Sequence, residues 1–102
     1  MTFGEAEVAC QQVTERGEKL LESSSREDAK DIEQKCRYYI ARMHGRFGNV
    51  AEQFSRVITA AKMYQKSRVD VGAASSNLHT TLTRVRGAIL IHRNADRTRW
   101  GE

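Results

Sequence analysis

Residues 31–68 read DIEQKCRYYIARMHGRFGNVAEQFSRVITAAKMYQKSR. Apolar side chains recur at Ile32, Cys36, Tyr39 and Met43, then at Phe47, Val50, Phe54, Val57, Ala61 and Tyr64. The spacing alternates between three and four residues, with one extra step of four between Met43 and Phe47. That is a helical seam with a single phase slip. A helix carrying such a seam cannot cover it alone, so flanking helices must do so.

The rest of the chain supplies them. Ala6, Cys10, Val13, Gly17 and Leu20 form a seam over a helix expected at about 4–21. Thr2, with Glu5 three residues on, reads as a capping box. A glycine on a seam costs about 1 kcal/mol against alanine, so Gly17 is expected to mark close approach of another backbone. Ser23-Ser24-Ser25 is a break. Ser25 caps a second helix starting at Arg26, with Glu27 and Asp28 against its dipole. Leu78, Leu82, Val85, Ile89 and His92 give the last seam, on a helix expected at about 76–95. Before it, Val69–Asn77 (VDVGAASSN) reads as a loop. After it, the tail has no apolar pattern except Trp100.

The middle seam leaves two architectures. No proline or strong turn dipeptide interrupts it and the pattern resumes at once, which favours one continuous helix over 26–68. Gly45 and Gly48 are the soft spot. If the chain turns there, the bundle has four helices. The fold class is all-α in either case, an antiparallel helical bundle in one domain over 1–102.

The end of the first helix, Val13-Thr-Glu-Arg-Gly17-Glu-Lys-Leu20-Leu21, resembles the end of the second helix of a spectrin repeat. Ile32, Cys36, Tyr39 and Met43 resemble the seam of the third, with Met43 where a tryptophan is common. In such repeats the third helix runs unbroken into the first helix of the next. Phe54 and Tyr64 are similar to the aromatics of that helix, and Asn77-Leu78 onward resembles the following second helix. The resemblance implies a structural or interaction module, as in spectrin, dystrophin, plakins, nesprins and Rho-family guanine-nucleotide exchange factors such as kalirin. It also implies a chain out of phase with the repeat. With three long helices, each half would be an open hairpin that self-associates or packs on neighbouring repeats.

Composition favours an all-α, soluble chain. Charged residues make up 29% of the chain, and prolines are absent. The longest apolar run, Ala88–Ile91, falls far short of the ~20 residues of a membrane span. No basic segment followed by an apolar run opens the chain, so no secretory signal is read there. Cys10 and Cys36 both lie on seams and read as buried free thiols, so a reducing, cytoplasmic location is expected.

No catalytic constellation, cofactor loop or metal-ligand spacing is legible. His44, His79, His92 and the cysteines show neither Cys-x-x-Cys nor His-x-x-x-His spacing. Gly45-x-x-Gly48 lacks the strand that precedes a phosphate loop. The remaining signal is charge. Residues 1–25 carry five acids and two bases; residues 71–102 carry five bases and two acids. Arg84, Arg86, Arg93, Arg97 and Arg99, with Trp100, form the candidate interaction surface. The alternative function is binding of nucleic acid or anionic lipid through Arg84–Trp100. The plainer account is a solvated face that pairs with the acidic first helix of a neighbour.

Overall fold

The computed structural model describes residues 2–43, 45–66 and 71–101, with side chains as far as Asn94. Its elements are α1 (Phe3–Ser23), α2 (Arg26–Ile40), a 3₁₀ turn (Gly45–Phe47), α3 (Gly48–Lys66) and α4 (Val71–Gly101). Helix α1 packs on α2, α2 on α3, α3 on α4, and α4 back on α1. Chain neighbours run antiparallel, and the ring closes between first and last helices. This is an up-down-up-down four-helix bundle, 52 × 22 × 18 Å overall.

The start of α1 follows the sequence. Thr2 Oγ1 accepts from the Glu5 N–H at 3.2 Å, and Glu5 Oε1 accepts from the Thr2 N–H at 3.2 Å. The α1–α2 connection is two residues long. Ser24 takes a left-handed conformation (φ 53°) and donates its N–H to Leu20 O at 2.8 Å. Ser25 Oγ then accepts from the Asp28 N–H at 3.2 Å and starts α2. The far end of α3 clasps this corner. Tyr64 Oη donates to Leu21 O at 3.3 Å and lies 2.8 Å from Ser24 Oγ, while Gln65 Nε2 donates to Ser25 O at 3.0 Å.

The middle seam is not one helix, which corrects the continuous helix expected over 26–68. Helix α2 ends at Ile40, and the N–H groups of Arg42 and Met43 both donate to Tyr39 O at 3.0 Å. Gly45 has φ +60°, a conformation that costs a residue with a Cβ about 1–2 kcal/mol. The phase slip is the corner itself. Met43 and Phe47 are both buried and close this end of the core. Folding back lets each half of the seam face the other helices, whereas a straight helix of ~65 Å would leave each half under-covered. The open-hairpin picture therefore does not hold; the core closes within one chain.

Helix α4 starts at Val71, earlier than the expected position near 76, and runs to Gly101, beyond 95. Ser75, Ser76 and Asn77 lie inside it. Their weak propensities cost a few tenths of a kcal/mol each, which burial of Leu78 and packing of Ala74 outweigh.

Ile32, Phe54 and Leu82 are core residues as the seams predict. Tyr39 is only half-buried and donates its hydroxyl to Gln12 Oε1 at 2.7 Å. Gly17 is where α1 meets α4, and what approaches it is the Leu82 side chain, not the backbone expected from the seam. A Cβ there would lie 2.5 Å from both Leu82 Cδ atoms and 3.0 Å from its Cγ.

Candidate functional site

Helix α4 carries no acidic residue between Val71 and Ala95, and Arg84 projects to a different side from Arg86 and Arg93. Arg84 lies toward α3, on a shallow groove with Glu52 and Thr59. Arg86 and Arg93 lie toward α1. Arg86 Nη2 donates to Glu18 Oε1 at 3.0 Å, with both side chains more than half exposed. An exposed pair of this kind contributes about 0–1 kcal/mol. The bundle thus does not bring Arg84 together with Arg86 and Arg93. The expectations for the side chains of Arg97, Arg99 and Trp100 lie outside the described residues, as does that for His44.

The α1/α4 groove is the larger of these two, at about 480 Å³. Thr14 and Cys10 from α1 and Ile89 from α4 form its floor. One rim is acidic, with Glu7, Glu15 and Glu18 of α1. The other carries Arg86 and Arg93 with Leu90 between them. Seam spacing explains the division. Positions 7, 11 and 18 recur one step off the α1 core line, with Glu15 two residues from its neighbours on that line, and 86, 90 and 93 lie one step off the α4 line.

Burial, with a smaller contribution from Glu7, pushes the Cys10 thiol up to about 12. Burial also pushes the Cys36 thiol up to about 12, with Glu33 adding to the effect. Both cysteines are free, and neither is a ready nucleophile. Among the described residues, no group of three or more His, Cys, Asp or Glu side chains is placed to hold a metal ion. His92 is structural. Its Nε2 lies 2.6 Å from Asn49 Oδ1, and its ring centroid lies 5.0 Å from that of Phe47. No helix among the described residues is long and apolar enough to cross a membrane.

Two exposed apolar features were not singled out from the sequence as surface. Leu90 is 47% exposed and Ile91 63%. The run Ala88–Ile91 was the available signal, because a helix flanked on two sides can bury only part of four consecutive apolar residues. Across the bundle, Val8 and Tyr38, each 50% exposed, flank a second groove between α1 and α2. The Arg42 guanidinium stacks 3.6 Å from the Tyr38 ring centroid. That pairing needed the turn after α2, where Arg42 sits.

Comparisons of the chain with protein-family models, curated proteins and solved structures returned no match.

Proposed function

We propose that this chain is a non-enzymatic interaction module, a small four-helix scaffold that meets other polypeptides along its helix faces. The observation that supports it most directly is the placement of exposed apolar side chains beside grooves bordered by charged residues. Tyr38 and Val8 flank the α1/α2 groove, and Leu90 stands on the rim of the α1/α4 groove. Apolar centres with polar rims are what partner surfaces combine. In its narrower form, the proposal is a spacer or scaffold in a larger cytoplasmic protein of cytoskeletal or signalling type, as the spectrin-like resemblance implied. The turn at 41–47 counts against the unbroken repeat-to-repeat helix, so the broader form is the one we favour.

The second reading, binding of nucleic acid or anionic lipid, draws on the absence of acids between Val71 and Ala95. It is weakened by the split of Arg84 from Arg86 and by the Glu18–Arg86 pair. One set of measurements separates the two. A photo-crosslinking amino acid in place of Tyr38 should yield discrete adducts with another polypeptide in cells, and duplex DNA and phosphatidylserine vesicles should not be retained. Absence of polypeptide adducts, together with DNA or vesicle binding that falls steeply between 50 and 200 mM salt, would overturn the proposal.

A further inference from the structure

We propose that the α1/α4 groove is a self-association face, covered by the same groove of a second copy related by a two-fold axis running along it. The inference rests on the interaction-module reading and adds the partner.

The rims decide the geometry. One is acidic (Glu7, Glu15, Glu18) and the other is basic and aliphatic (Arg86, Leu90, Arg93). A two-fold axis along the groove lays α1 of each copy over α4 of the other. It preserves height, so residues level with each other in one chain remain level across the interface. Glu18 is level with Arg86, as their ion pair shows. Arg93, seven residues beyond Arg86, is level with position 11 of the antiparallel α1, so it lies between Glu7 and Glu15, each about one turn of helix away. Each arginine of one copy would then face a glutamate of the other at both ends of the groove. A two-fold axis across the groove would instead place α1 on α1 and α4 on α4, like charge on like. Opposite charges in register favour the first arrangement and penalise the second.

The size sets the strength. The stretch of α1 beside α4 is ~28 Å long and a two-helix face is ~20 Å wide, giving ~550 Å² per copy. That total of ~1,100 Å² lies at the low end for specific interfaces, where weak and reversible complexes are found. Leu90, on the rim between Arg86 and Arg93 and 47% exposed, supplies apolar contact between the charged ends.

The test is charge-swap complementation in the full chain, read by sedimentation velocity from about 5 to 500 μM at low salt. Glu7, Glu15, Arg86 and Arg93 are all exposed, so reversing them leaves the core untouched, which helical circular dichroism checks. The unchanged chain should pass from monomer to dimer over this range, and the dimer should weaken several-fold in 300 mM salt. Glu7→Arg with Glu15→Arg should be monomeric, as should Arg86→Glu with Arg93→Glu. Mixing the two variants should restore a one-to-one dimer, because each acidic or basic rim again meets its opposite. A monomer throughout, dimerisation of either variant alone at the level of the unchanged chain, or a mixture that stays monomeric would overturn the proposal. None of these outcomes bears on adducts from Tyr38, which lies on the α1/α2 side, so the two proposals fail separately.

Discussion

Gly17→Ala tests the closest approach in the bundle. Alone, the substitution adds a methyl group 2.5 Å from both Leu82 Cδ atoms, and Leu82 is itself only 3% exposed. Two effects oppose each other. Alanine in a helix interior is favoured over glycine by about 1 kcal/mol. Overpacking a filled core costs about 1–3 kcal/mol. The contact is tighter than van der Waals separation at three atoms, so overpacking wins and the net change is a loss of ~0–2 kcal/mol. Leu82→Ala alone removes the obstructing atoms, opens a cavity and should cost ~2–5 kcal/mol. In that background the sign reverses. The alanine at 17 no longer clashes, recovers the helix term and fills part of the cavity, so the double variant should be more stable than Leu82→Ala by about 1 kcal/mol. The coupling between the two positions is then ~1–3 kcal/mol, as expected for residues in contact. Urea unfolding of the four proteins, followed by helical circular dichroism, measures it. If Gly17→Ala stabilises both backgrounds equally, α1 does not meet α4 at Leu82 and the packing described here is wrong.

Other expectations follow from the turn, the thiols and Tyr39. Gly45→Ala should cost about 1–2 kcal/mol because of the +60° φ, whereas Gly48→Ala, within α3 and with open space at its Cβ, should stabilise by ~0.4–1 kcal/mol; stabilisation by both would point to a continuous helix. Cys10 and Cys36 are buried, with thiols pushed up to about 12, so at pH 8 a thiol-reactive disulfide should label them slowly in the native protein and within seconds in denaturant; fast native labelling would contradict the burial. Burial raises the Tyr39 phenol above its ordinary value of 10.0. The neutral form is the one the fold favours, so this stability is present below pH 10 and is lost as the pH rises through the raised value. An ultraviolet titration of the unchanged chain against Tyr39→Phe should place that phenol later than a free tyrosine, and a difference curve at or below the ordinary value would refute it.

The sequence alone determined the class of fold. The three-four recurrence of apolar residues, with no proline to interrupt it, specifies helices whose apolar lines need covering. Local chemistry also marked the starts of α1 and α2, since a cap is made by residues three apart in the chain. Gly17 was legible as a close approach because a seam glycine costs stability unless something occupies the space. What the sequence did not show was how the middle seam is covered. A phase slip between Met43 and Phe47 fits both a locally unwound helix and a corner, and the difference lies in contacts with residues far away in the chain. The tertiary structure decided for the corner, because turning at Gly45 brings both halves of the seam into one closed core. It also decided where α4 begins, since burial at Leu78 outweighs the weak propensities of Ser75, Ser76 and Asn77. The candidate surface changed for the same reason. Arg84, Arg86 and Arg93 lie close in sequence, but only the positions of α1 and α3 on either side of α4 determine that one faces Glu52 while another pairs with Glu18.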